Sequence, residues 1–388
     1  MNTIMPARIA TIDILRGLVI ILMALDHTRD FMTGSDLNPR NIHEPLLFMT
    51  RWITHICAPT FIFLAGMSAY LFEQQKTKRA TFSFLAQRGL LLIILEFTVV
   101  HFGWTFSITT DFMMAQVIWA IGLSLLILSI LIFLPIKIIA GFSIIIILTH
   151  NTLDLIQAKT FGSLEWLWLV LHQAGFFTPW TGVKLLIAYP IIPWFAVMAL
   201  GYSTAPLIIK ALKQHTRYLV YTGLMLITAF IVLRYFNGYG NPKPWQVEDT
   251  VSATIFSFIN CEKYPPSLLY LLITLGISSL LLAGFNYFEK PLGVIAKILQ
   301  IFGKTSLFFY LIHLPVIHLT ALILTYINGF DTAWLFIEPF FSKPSGYGYP
   351  LGITYLLWLV IISALYPLCY YYSEYKKRHK DMVWLSYF

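Results

Sequence analysis

Ile12–Phe31, IDILRGLVIILMALDHTRDF, is apolar enough to cross a bilayer, yet it carries Asp13, Arg16, Asp26, His27, Arg29 and Asp30. At 100° per residue, Asp13, Arg16 and His27 fall within roughly 60° of one another, with Ile20 and Ala24 between them. Asp30 follows on the next turn, at i+3 from His27. The stretch therefore reads as a membrane helix with one polar stripe, an Asp–Arg pair at one end and a His–Asp pair at the other. Arg16 and His27 are separated by about 16 Å of helical rise. Ionisable groups at such depth are costly and usually face a bundle interior, so the stripe reads as a functional site. The bland alternative is an ion pair that only fixes helix packing.

The rest of the chain agrees with a membrane setting. Of 388 residues, 58% are hydrophobic and only 11% charged, with a mean hydropathy of +0.74. Soluble chains carry about 25% charged residues. The formal net charge of +8 does not point to nucleic acid, because the bases alternate with apolar runs in place of forming one patch. Three cysteines, Cys57, Cys261 and Cys369, contain no CxxC pair and cannot complete a disulfide framework. A Cys57–Cys261 bridge is one option and buried inert thiols the simpler one. The histidines are dispersed, with no H-x-x-H or Cys/His cluster, so no metal is expected. The N-terminal run after Arg8 is too long for a signal peptide and lacks an A-x-A site, so it reads as a retained first span.

Ten candidate spans suit a hydrocarbon core of about 30 Å: 9–31, 52–72, 89–107, 112–134, 136–155, 186–209, 217–236, 266–285, 303–326 and 350–373. With both termini inside, 17 of the 26 basic residues are inner, from Arg8 to Lys380, and the outer segments hold 12 acids. The positive-inside rule favours this orientation. The expectation is an all-α polytopic membrane protein of about ten helices, N-in and C-in, with residues 1–388 forming one domain.

The long connections 32–51, 156–185, 237–265 and 327–349 then lie outside, where long loops are commonly functional. Leu164–Phe177 is apolar but too short to span. The inner segment 73–88, EQQKTKRATFSFLAQR, is strongly basic; it serves either topology or a phosphorylated ligand, with Arg88 the preferred contact because it opens the third span. Arg51 and His55 open the second span four residues apart, at the level of His27 and Asp30, so an Asp30–Arg51 pair and a His27–His55 neighbourhood are expected. Pro59, Gly66 and Ser68 below them read as packing residues. Trp194 is expected to line a cavity or an interface. Lys263 and Tyr264, before a diproline, serve equally as acceptor contacts or interfacial anchors. His313 lies near mid-membrane in the ninth span, as a functional group or as an imidazole satisfied by a helix carbonyl. The basic tail 376–380, KKRHK, reads as an anionic-lipid contact.

Several stretches together resemble a known group. IDILRGLVIILMALDH resembles the first-span motif of membrane acyltransferases, in which D-x-L-R-G precedes a histidine, and Arg16 and His27 show the spacing of the acyltransferase-3 family. APTFIFLAG, YPIIPWFAVMALGY, KYPPSLLYLLITLG and GKTSLFFYLIH are more specifically similar to bacterial members of the heparan-α-glucosaminide N-acetyltransferase catalytic-domain family. The resemblance runs from the N-terminus through the ninth span. It implies a bacterial inner-membrane enzyme that moves an acyl group, in the first instance acetyl, from cytosolic acyl-CoA to a sugar on the far side. One departure stands out: lysosomal members have Asn at the place of His27, and their catalytic His lies further into the following loop, where this chain has His43.

These readings combine into one expected mechanism, in a pore bounded by spans 1, 2, 3, 6 and 9. CoA phosphates rest against Arg16 and Arg88, with Asp13 orienting Arg16. His27 is the base toward an acceptor hydroxyl or amine, and Asp30 or Asp26 holds its tautomer. His313 or His55 donates to the thioester oxyanion, while His55, Arg51, Lys263 and Tyr264 face the acceptor. An acyl-histidine intermediate is a second route. The rival class is a proton-coupled transporter or flippase that uses the same stripe as a relay.

Overall fold

Apolar chain in a bilayer must satisfy its own backbone, and helices do so within one segment. The computed structural model is mostly helical and describes residues 9–34, 36–339, 341–379 and 381–387. Arg8 and Lys380, read above as topology-setting bases, lie outside the described residues.

Fifteen α-helices are described: α1 (Ala10–Met32), α2 (Pro45–Thr54), α3 (Cys57–Glu73), α4 (Lys78–Leu95), α5 (His101–Thr105), α6 (Val117–Leu131), α7 (Ile136–Thr149) and α8 (Glu165–Leu171) precede the midpoint. Then come α9 (Ile191–Gln214), α10 (Arg217–Phe236), α11 (Val251–Ile259), α12 (Leu268–Lys304), α13 (Ser306–Ile327), α14 (Trp334–Ile337) and α15 (Leu351–Arg378). Among the described residues, eight helical stretches are long and apolar enough to cross a membrane. Two of the expected spans are not among those eight: α1, because of its charges, and α6, which has only 15 residues.

In lipid, helices gain little from apolar burial alone, so close packing and interhelical hydrogen bonds hold them. α1 runs against α12, and α3 against α9. At Gly303 a Cβ would lie 1.9 Å from the Asp13 carbonyl oxygen, and at Gly66 it would lie 1.9 Å from that of Met198. Only glycine allows these backbones to touch. Thr60 and Ser278 join α3 to α12 through hydroxyls 2.6 Å apart. α12 breaks at Pro291 and Gly293, where φ is +48°, and its second half packs on the start of α1.

Several expected boundaries move. The third span starts eleven residues early: α4 begins at Lys78, with the Thr77 hydroxyl accepting from the Ala80 N–H at 3.2 Å. Most of the presumed basic loop is thus helix, and Arg88 sits on its third turn. The second span is α2 and α3, separated by a turn at His55–Ile56. The starts of the fourth and sixth spans are strands: β1 (Phe112–Ala115) pairs parallel with β3 (Lys184–Ile187), and β2 (Gly175–Phe177) pairs antiparallel with β3. The apolar stretch 164–177 divides into the seven-residue α8 and β2. Cys57, Cys261 and Cys369 are buried free thiols, so the Cys57–Cys261 bridge is not formed.

Candidate functional site

Two cavities lie along α1, one at each end. At its N-terminal end, a cavity of about 510 Å³ is lined by Arg16, Arg88, Lys304 and Lys376 against one carboxylate, Asp13. Arg16 Nη1 meets Asp13 Oδ1 at 3.2 Å, and Nη2 donates to Ser68 Oγ at 2.9 Å. Ser68 in turn donates to the Leu64 carbonyl at 2.7 Å. The serine read as a packing residue therefore aims the guanidinium. Among the described lining residues four cations accompany a single acid, and guanidinium groups are suited to bidentate contact with phosphate.

At the C-terminal end of α1, a cavity of about 300 Å³ is lined by His27, Asp26, Asp30, Gln116, Lys263 and Tyr264, with Leu186 of β3 and Met114 of β1 forming part of its wall. Met23, Phe61 and Val117 line both cavities. Met23 is four residues before His27, so it lies directly beneath the imidazole on the same helix face. The expected pore membership changes accordingly. α6 is a wall, and the sixth span contributes only residues at and just after β3. Trp194 is fully buried and lines neither cavity.

His27 is held by histidine and not by a carboxylate. Its Nδ1 lies 2.7 Å from His313 Nε2, and His313 Nδ1 lies 3.0 Å from the Phe309 carbonyl. A carbonyl only accepts, so His313 Nδ1 carries a proton and its Nε2 a lone pair. His27 Nδ1 must then donate, which leaves the lone pair of the neutral ring on Nε2. Trp104 fixes the ring from the side, with centroids 4.9 Å apart and planes at 70°. His313 thus bonds a helix carbonyl through one nitrogen and faces His27 with the other. It is fully buried and lines neither cavity, so it is not placed to donate to a thioester oxyanion.

The carboxylates are otherwise engaged. Arg29 Nη2 meets Asp26 Oδ1 at 2.7 Å and Asp30 Oδ1 at 2.6 Å. Asp26 also accepts from Thr54 Oγ1 at 2.7 Å and faces Lys263 Nζ at 3.7 Å. Arg29 reaches both acids within α1, which explains why the expected Asp30–Arg51 pair does not form. Arg51 is buried with Nη1 unpartnered. His55 packs on the Tyr270 ring at 5.3 Å, not on His27, and neither Arg51 nor His55 lines a cavity. His43 is exposed, with Nδ1 3.7 Å from Asp249, outside both cavity linings.

Lys263 and Tyr264 do reach the second cavity, with the ammonium 5.2 Å from the Tyr264 ring centroid. Burial opposes charge on Lys263, but Tyr264, Asp26 and Tyr270 outweigh it and hold the ammonium above its ordinary range. The lysine is therefore a fixed cation beside Asp26.

Sequence reasoning passed over Arg29, Ser68, Trp104, Gln116, Lys304, Lys376 and Tyr310. Lys304 and Lys376 carried a visible signal, a positive charge at a helix end, which topology alone seemed to explain. Arg29 carried one too, acids at i−3 and i+1 on its own helix, whereas Ser68, Trp104, Gln116 and Tyr310 are brought in by tertiary packing.

No curated protein matches the chain. A family model described as heparan-α-glucosaminide N-acetyltransferase, catalytic, matches residues 8–235. That stretch holds α1 to α10 up to Tyr235, so KYPPSLLYLLITLG and GKTSLFFYLIH, which also carried the resemblance, lie beyond it. An integral membrane chain whose first ten helices match this model, and whose leading helix bears Arg16 and His27 at the two ends of one stripe, belongs to the heparan-α-glucosaminide N-acetyltransferase catalytic family.

Proposed function

We propose that the protein transfers an acyl group, acetyl in the first instance, from acyl-CoA in the cavity at the N-terminal end of α1 to a sugar acceptor in the cavity at its other end. In this reading the chain crosses the membrane ten times, both termini face the cytosol, and the bilayer is a bacterial inner membrane, as in the members it resembles. The observation that carries the proposal is the junction at Met23, Phe61 and Val117. These three residues line both a cavity rich in cations and one that holds a base.

CoA phosphates sit against Arg16 and Arg88, joined by Lys304 and Lys376, while the pantetheine arm rises past Met23 toward His27. The Nε2 lone pair of His27 takes the proton of the acceptor hydroxyl or amine as that group attacks the thioester carbonyl. His313 is a positioning residue. It keeps that lone pair on Nε2 and shares the positive charge that forms, the role an Asp has in the serine-protease triad. As the C–S bond breaks, His27 returns the proton to the departing CoA thiolate. Asp26 and Asp30, bound to Arg29, hold the charge balance and shape of the acceptor cavity, and Lys263 and Tyr264 face the acceptor.

The test uses proteoliposomes loaded with glucosamine and given radiolabelled acetyl-CoA outside. Labelled N-acetylglucosamine inside the vesicles, lost in His27→Ala while acetyl-CoA binding persists, is the expected result. A folded protein that binds neither acetyl-CoA nor longer acyl-CoAs refutes the proposal. Glucosamine flux without release of CoA would establish the transporter instead.

A further inference from the structure

We infer that the Tyr310 hydroxyl is the hydrogen-bond donor that receives the thioester carbonyl oxygen during transfer, an inference that rests on the acyl-CoA reading above. Tyr310 lines the CoA cavity, yet the residue is 4% exposed and its hydroxyl has no hydrogen-bond partner. Buried polar groups are nearly always paired, so an orphan O–H at a substrate cavity points to a ligand atom that completes it.

Its place relative to the base is suited to this task. Tyr310 is one helical turn before His313, with their ring centroids 5.6 Å apart. His27 stacks on the same His313 ring at 5.0 Å. One imidazole thus supports both the base, on the acceptor side of the junction, and the phenol, on the CoA side. A thioester that enters acyl end first brings its carbonyl to the junction between them.

Other donors fall away. Both His313 nitrogens are engaged, with His27 and with the Phe309 carbonyl. His55 lines neither cavity. The N-terminus of α6 reaches the junction at Val117, but the buried carboxylate of Glu96 already covers it, accepting from the Trp119 N–H at 2.9 Å. Glu96 can accept there because a single π-helical turn, Glu96–Val100, interrupts the passage from α4 to α5.

The chemistry balances without loss of the phenolic proton. The acceptor oxygen or nitrogen attacks the carbonyl carbon, its proton passes to His27, and the carbonyl π pair moves onto oxygen, where the Tyr310 O–H holds it. Collapse reforms the carbonyl and breaks the C–S bond. The thiolate leaves on the CoA side and takes the proton from His27.

The experiment compares wild type with Tyr310→Phe in three readouts: acetyl-CoA affinity by calorimetry, kcat and KM for CoA release with glucosamine or water as acceptor, and the infrared carbonyl band of bound [1-13C]acetyl-CoA. Expected are unchanged affinity, a kcat lower by about 100-fold or more with KM for acetyl-CoA little altered, and a carbonyl band shifted to lower frequency in wild type but not in the variant. Unchanged kcat, or an identical band in both proteins, overturns the assignment. Affinity and turnover falling together would place Tyr310 in binding or folding and overturn it too. Failure of the underlying reading looks different: wild type itself would bind no acetyl-CoA.

Discussion

Removing the ring of His313 tests the tautomer argument directly. In His313→Leu the His27 Nδ1–H loses its acceptor, at 2.7 Å, in a site where the replaced ring was fully buried. A buried donor left unpaired costs about 1–3 kcal/mol, which either burdens the active tautomer or flips the proton to Nε2 and removes the base. The charged imidazolium loses more, since charge-assisted bonds are about twice as strong as neutral ones. At about 1.4 kcal/mol per decade, the expected fall in kcat is about 100-fold. His313→Gln keeps an amide N–H for the Phe309 carbonyl and an oxygen for His27, so it should recover to within about tenfold of wild type. The assay is release of the CoA thiol by protein in detergent, beside calorimetric acetyl-CoA binding, which both variants should retain. A Leu variant at the wild-type rate refutes the reasoning. Leu and Gln variants equally inactive with binding intact would refute it as well, because the acceptor on His27 would then not be what matters.

Three further outcomes are expected. Arg16→Ala combined with Arg88→Ala should weaken acetyl-CoA binding by more than tenfold, since hydrogen bonds to charged groups contribute about 1.5–3 kcal/mol each; Lys376→Ala should weaken it less, and equal affinities across the set would remove the CoA phosphates from this cavity. Gly303→Ala forces a Cβ to within 1.9 Å of the Asp13 carbonyl, so overpacking of about 1–3 kcal/mol should lower Tm in a detergent melt, and an unchanged Tm would contradict the close contact of α1 and α12. Lys343, whose Nζ donates to the Thr33 carbonyl at 2.7 Å, is lowered to about 8 by burial, opposed by Asp30 and aided by Arg29. Between that value and the ordinary lysine range, the unfolded chain holds more protons than the fold, so stability rises with pH. The Tm of wild type should therefore gain on that of Lys343→Met from pH 7 to 9.5, and a gain of the opposite sign would refute the assignment.

What the sequence made legible was the long-range order of one helix. Asp13, Arg16 and His27 are separated by helical periods, so their common stripe follows from 100° per residue and needs no tertiary knowledge. The apolar runs were legible for the same reason, because a bilayer sets their length. Partner choice was not. Arg29 and Arg51 are both bases near Asp30, and the side-chain geometry that lets Arg29 reach Asp26 and Asp30 together decides between them. His55 was the expected neighbour of His27; the packing of α13 on α1 brings His313 there instead. The sheet escaped notice because its strands have only three or four residues and lie next to helices of similar composition.

The same geometry bears on how a single helix of a membrane protein accommodates six ionisable groups. None of them faces lipid as an isolated charge. Asp13 and Arg16 pair with each other, Arg29 and Lys263 together balance Asp26 and Asp30, and the neutral His27 is bonded to His313. Replacing these pairs with apolar residues is often neutral or stabilising for a fold, so stability alone is a weak reason to retain them. What the arrangement adds is separation. The cations Arg16, Arg88, Lys304 and Lys376 gather at one cavity, while at the end that holds the base Asp26 and Asp30 stand beside Arg29 and Lys263. A relay that carried protons along the helix would need titratable steps between Arg16 and His27, and that interval holds only Gly17–Asp26, apolar except for Asp26, which Arg29 already claims. A linear thioester arm can cross such an apolar interval. The stripe therefore favours a substrate that spans the two cavities over a proton that hops between them.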